Sequence, residues 1–171
     1  MKVERRPVVG VMGGAQVTKE VYKLAFELGE RIAEQGWVLL NGGRDTGVML
    51  ASAEGAKRKG GVTIGILPGN EARAANPFID FAIVTNMGDA RNVINVLSSD
   101  VVVVLPGKAG TVSEAALALK SARPVIFLAM PINGLLKEYE EAGRLQVAGS
   151  IEECIERIKA ILASAPDLSE S

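Results

Sequence analysis

The stretch "DVVVVLPGKAGTVSEAALALK", Asp100 to Lys120, decides the fold. Val101 to Leu105 is an apolar run without alternation, the pattern of a strand covered on both faces. Pro106, Gly107, Lys108, Ala109 and Gly110 then interrupt it, and from Thr111 to Ala122 the pattern becomes helical. Strand, glycine turn and helix make up most of a βαβ unit. The junction has two explanations. Turn glycines let backbone N–H groups approach a ligand, and a helix N-terminus favours an anion, so the turn can cradle a phosphate. Alternatively, Thr111 and Glu114 spell a capping box, each side chain accepting from the other's N–H. Ser150 and Glu153 repeat that spelling with no glycine-rich approach.

The alternation continues outward from this stretch. Strand-like runs occupy 8–12, 37–41, 61–68, 81–85, 124–130 and 145–149, besides 100–106. Helical patterns fill 18–36, 46–61, 89–100, 135–143 and 150–165, besides 111–122. This order predicts a Rossmann-like, doubly wound α/β fold: a mainly parallel sheet of about six or seven strands with helices on both faces. We expect one domain over 1–165 and a polar tail over 166–171, with no internal repeat or linker.

The totals exclude several chemistries. The chain has 171 residues, no histidine and one cysteine. Ser-His-Asp and Cys-His catalysis within one chain are excluded, as are His-ligated metals and thiolate zinc sites, so no metal site is expected. Cys154 reads as inert packing beside an apolar stripe, and the lack of disulfides fits a reducing cytoplasm. Net charge is −1 with no long basic run, which leaves nucleic acid without its electrostatic footprint. No run of about 18 apolar residues is present, and the opening segment lacks a secretory h-region, so no membrane association is expected. Apolar residues make up 48%, which is rich for a small monomer and predicts a homo-oligomer, with Val93, Val96, Ala116, Leu117 and Leu119 as candidate contacts.

In open parallel sheets, ligands bind beyond the carboxyl ends of the strands. The candidate binding residues are therefore Gly13 and Gly14 after the first strand, and Gly42, Gly43 and Gly47 after the second. Gly107, Lys108, Gly110 and Thr111 follow the fifth. None of these turns is a G-x-G-x-x-G or a Walker A sequence, which argues against dinucleotide binding and ordinary NTPase chemistry. Arg44 and Asp45 read as a surface pair.

Four segments in this order, "NGGRDTGVM", "GGVTIGILP", "MGDARNVI" and "PGKAGTVSE", resemble the Lonely Guy superfamily of Rossmann-like, lysine-decarboxylase-like proteins. Its best-known members are phosphoribohydrolases that release a cytokinin base from its nucleoside 5′-monophosphate. The resemblance implies that Arg91 and Glu114 match the essential arginine and glutamate. Gly107, Gly110 and Thr111 match the phosphate loop, and Gly42, Gly43 and Gly47 the turn after strand two. The departures are Lys108 for a loop glycine, Ala109 for an aromatic, Ser113 for an acid, Asn92 for a lysine and Arg44 for a glycine. They resemble the molybdenum cofactor carrier-like branch, whose members bind a phosphorylated pterin.

Three functions follow as expectations. The first is a carrier for a phosphorylated small molecule, a nucleotide or the molybdenum cofactor, with no cofactor required. The second is a phosphoribohydrolase, with Glu114 stabilising positive charge at C1′ and Arg91 orienting it or holding the phosphate. The third is an assembly subunit with an empty site. The resemblance also implies a dimer or tetramer. Lysine decarboxylation is set aside, since no feature specifies a pyridoxal phosphate site.

Overall fold

The structure, a computed structural model, describes residues 5–132 and 134–164; the polar tail expected over 166–171 lies outside them. The strands are β1 (Val8–Met12), β2 (Val38–Asn41), β3 (Val62–Leu67), β4 (Phe81–Val84), β5 (Val101–Val104), β6 (Val125–Leu128) and β7 (Leu145–Ala148). All pair in parallel in one seven-stranded sheet of order β4-β3-β2-β1-β5-β6-β7. The helices are α1 (Lys19–Glu34), α2 (Gly47–Arg58), α3 (Asn92–Leu97), α4 (Ala109–Lys120), α5 (Lys137–Glu141) and α6 (Ile151–Ser164).

The valine run explains the layering. Side chains alternate across a strand, so Val101 and Val103 enter one core layer and Val102 and Val104 the other. The first layer lies under α1, α2 and α6, around Leu28, Ile32, Val48, Cys154 and Ile155. The second lies under α3, α4 and α5, around Val96, Ala115, Ala118, Leu119 and Phe127. Helices α1 and α2 approach so closely that a Cβ at Gly29 would meet the Ser52 carbonyl and one at Gly55 the Phe26 carbonyl. Cys154 is fully buried, and that burial pushes its thiol up to about 12, which suits packing rather than reactivity.

Two of the expected contact residues are core residues instead. Val96 is 0% and Leu119 1% exposed, because the inner faces of α3 and α4 sit on the sheet. The apolar surface lies beside them. No α-helix connects β3 to β4, only the 3-10 turn Ala72–Ala74. On the α3 side of the sheet, Phe81 and Ile83 of β4, the partners of Ile64 and Ile66, are therefore 60% and 46% exposed. Val93, Leu97 and Val112 are exposed on the neighbouring helices. Among the described residues, no helix is long and apolar enough to cross a membrane.

From β1 the chain winds out to β2, and it later returns to β5 on the other side of β1. This reversal opens a crevice between the exits of β1 and β5.

Candidate functional site

Three strand exits are laced together at that crevice. The Gly14 N–H donates to the Pro106 carbonyl at 3.0 Å, joining the β1 and β5 exits. The Val48 N–H donates to the Gly14 carbonyl at 3.0 Å, and the Thr46 hydroxyl to the Ala15 carbonyl at 2.6 Å, joining β1 to the turn after β2. Asn41, 0% exposed, holds that turn: its Oδ1 accepts from the Gly43 N–H at 2.8 Å and its Nδ2 donates to the Met49 carbonyl at 2.9 Å. Gly47 is in the left-handed region at φ 53°, and a Cβ there would meet the Gly14 and Ala15 carbonyls.

Between the exits lies a cavity of about 310 Å³. The β1 exit contributes Met12, Gly13, Gly14 and Gln16, the β2 turn Gly42, Arg44 and Met49, and the β5 exit Lys108, Gly110 and Thr111. Asp89, Arg91, Asn92 and Glu114 add to the wall. Eight of the expected residues thus meet here: Gly13, Gly14, Gly42, Arg91, Lys108, Gly110, Thr111 and Glu114. Gly43, Gly47 and Gly107 do not line the cavity. They lie behind it, where the backbones touch: a Cβ at Gly43 would come 3.0 Å from Gly65 Cα, and one at Gly107 2.8 Å from the Gly14 nitrogen.

Helix α4 begins at Ala109, two residues before the expected start, and Lys108 at its N-cap makes no side-chain cap. The Val112 N–H donates to the Lys108 carbonyl at 3.1 Å, so the preceding N–H groups of Ala109, Gly110 and Thr111 have no acceptor within the helix. A Cβ built on Gly110 meets nothing within 4 Å, so the backbone faces open space.

The earlier start also removes the capping role from Glu114. It sits beyond the first turn, 8% exposed, and does not cap α4. Its Oε1 accepts from Asn95 Nδ2 at 3.0 Å. Asn95 is fully buried, one helical turn beyond Arg91, and its Oδ1 has no partner among the described residues. Burial raises the Glu114 carboxyl above its ordinary range, opposed by the Asn95 hydrogen bond and the Arg91 charge.

Arg91, at the end of the 3-10 turn Gly88–Arg91, is 8% exposed, and its Nε has no hydrogen-bond partner among the described residues. Its guanidinium lies against Gly42, where a Cβ would come 2.8 Å from Nη2. Burial pulls its pKa down, the Glu114 charge opposes this, Arg44 adds to it and Asp89 opposes it. Arg44 does not form the expected pair with Asp45; among the described residues it makes no ion pair, and it lines this cavity and a neighbouring one of about 490 Å³. Among the described residues, no group of three or more Cys, Asp or Glu side chains converges as a metal site.

Residue-level reading of the sequence missed Asn41, Asn95 and the position of Arg44. For Asn95 a signal existed, the i, i+4 spacing from Arg91 on one helix face. For Asn41 and Arg44 none existed in the local pattern.

Sheet order and crevice place the chain among the Rossmann-like doubly wound proteins. Within that class it belongs to the SLOG cluster4 family, whose profile matches residues 6–155. The molybdenum cofactor binding protein of Rippkaea orientalis is 48% identical, with a TM-score of 0.84 over 94% of this chain and 99% of that one. The Moco carrier protein of Chlamydomonas reinhardtii is 41% identical, with a TM-score of 0.86 over 94% of this chain and 100% of the other. The cytokinin riboside 5′-monophosphate phosphoribohydrolase of Mycobacterium tuberculosis is 38% identical over 97 residues, which are 56% of this chain and 52% of that enzyme. That match therefore spans about half of the enzyme.

Proposed function

We propose that the protein is a carrier that binds a phosphorylated small molecule of the molybdenum cofactor type in the crevice between β1 and β5. The observation that carries this reading is the open N-terminus of α4 facing the same cavity as a buried arginine with no ion-pair partner among the described residues. A helix N-terminus attracts an anion, and a buried guanidinium that no carboxylate reaches at ion-pair distance keeps donors for a ligand. Full-length similarity to two molybdenum cofactor binding or carrier proteins supports this class of ligand. In this reading the phosphate lies against Lys108, Gly110 and Thr111, with the ammonium of Lys108 offsetting its charge.

The second reading is hydrolysis of a nucleoside 5′-monophosphate, and one observation favours it: Arg91 and Glu114 line one cavity. Cleavage of an N-glycosidic bond builds positive charge on the ribose, which a carboxylate across from C1′ stabilises. Glu114→Gln separates the two. It keeps size and leaves an acceptor for Asn95, so ligand binding persists. A carrier binds the phosphorylated pterin as wild type and as Glu114→Gln, and neither releases base from nucleoside monophosphates. Multiple-turnover release of base by wild type, lost in Glu114→Gln with affinity retained, overturns the carrier reading.

A further inference from the structure

Positive charge is distributed unevenly around the crevice. At the β5 exit, the proposed phosphate seat is the start of α4 with Lys108. At the β2 exit, Arg91 lies against Gly42 and Arg44 emerges from the same turn. Both guanidinium groups line the same cavity, Arg91 buried and Arg44 exposed, with Glu114 and Asp89 on the same wall; among the described residues no carboxylate forms an ion pair with either arginine. Arg91 is 8% exposed with an unpartnered Nε, and an anion between it and Arg44 would meet donors from both side chains.

The position of Arg44 is held from behind. The Asn76 N–H donates to the Gly43 carbonyl at 2.8 Å, Asn76 Nδ2 donates to the Arg44 carbonyl at 3.2 Å, and Arg44 bridges Ala75. The side chain stands where the first cavity meets the second, which shares Ala15, Gln16 and Arg44 with it.

We infer a second anion seat between Arg91 and Arg44, and hence a ligand with a second anionic centre besides its phosphate. The inference rests on the proposed phosphate seat at α4. The β2 and β5 exits lie on either side of β1, two strand spacings apart, so the two centres are roughly 10 Å from each other. Glu114 forms no ion pair with either arginine among the described residues, and its Oε1 accepts from Asn95 Nδ2 at 3.0 Å.

The test uses inorganic phosphate and molybdate as probes, followed by calorimetry and by anomalous scattering at the molybdenum edge from crystals soaked in both. With phosphate saturating at millimolar concentration, a molybdenum peak is expected beside Arg91 and Arg44, with phosphate at α4. Arg44→Gly is expected to weaken molybdate binding about tenfold or more, the effect of one lost charge-assisted hydrogen bond, and Arg44→Lys to restore part of it. If phosphate displaces molybdate completely, or the molybdenum lies elsewhere, or Arg44→Gly binds molybdate as tightly as wild type in calorimetry, the second seat is refuted and the phosphate seat stands. If neither oxyanion binds, both readings fall.

Discussion

Gly107 and Gly110 stand three residues apart in one turn, and replacing each by alanine has opposite expected outcomes. At Gly107 a Cβ would collide with the Thr111 side chain and come 2.8 Å from the Gly14 nitrogen. Neither neighbour can yield, since Thr111 is 5% exposed and the Gly14 N–H is bonded to the Pro106 carbonyl. Gly107→Ala should therefore cost about 1–3 kcal/mol as an overpacked contact, with or without ligand. At Gly110 the new methyl meets nothing within 4 Å, and the residue is already helical. Gly110→Ala should gain up to about 0.5–1 kcal/mol from helix propensity and a less flexible unfolded chain. For a chain of this length that raises Tm by about 1–4 °C. The same methyl enters the cavity in front of the free N–H groups and holds an oxyanion beyond hydrogen-bonding distance. Losing one charge-assisted bond of about 1.5–3 kcal/mol weakens phosphate binding roughly tenfold to a hundredfold. Thermal denaturation without ligand, paired with phosphate calorimetry, reads both quantities. A Gly110→Ala protein that is as stable as wild type or more so, and that binds phosphate equally well, refutes the α4 seat.

Two further predictions concern stability and assembly. Burial alone would raise the Asp80 carboxyl, but Lys57 Nζ at 2.7 Å and the Thr63 N–H at 2.9 Å and hydroxyl at 3.1 Å outweigh it and hold it below its ordinary range. A depressed carboxyl contributes stability at pH above its unfolded pKa of about 3.9 and loses it as pH falls through the folded value. Asp80→Asn should therefore lower stability by about 1 kcal/mol at neutral pH and by much less in acid; an equal loss at both pH values, measured by urea denaturation, removes this account. We further propose that a second copy of the chain covers Phe81, Ile83, Val93, Leu97 and Val112, so that light scattering finds a dimer or tetramer and Leu97→Asp shifts it toward monomer. A wild-type monomer of 18.0 kDa at micromolar concentration rules this out.

The layering was legible because it is written locally. Four unbroken valines imply cover on both faces, and α1, with Ala25, Leu28 and Ile32 at helical spacing, implies one of the helices that supply it. The site was legible only in part, and the two Thr/Ser-x-x-Glu segments show why. At the start of α6 half of the box forms, the Glu153 N–H donating to Ser150 Oγ at 3.2 Å, while Glu153 Oε2 reaches one residue further back and accepts from the Gly149 N–H at 2.8 Å. At Thr111 the spelling is the same, yet α4 begins at Ala109 and Glu114 turns inward onto Asn95, 19 residues earlier in the chain. Nothing within four residues of Glu114 carries that difference. It comes from the packing of α3 beside α4 under the β1 exit, a contact between segments distant in sequence. Arg44 follows the same rule. Beside Asp45 it reads as half of a surface pair, and only the placement of Arg91 against Gly42 makes it the second cation of a cavity. The capping reading of Glu114 had to fail once the helix started early, because the first turn, left without a side-chain cap, keeps its free N–H groups open to the crevice.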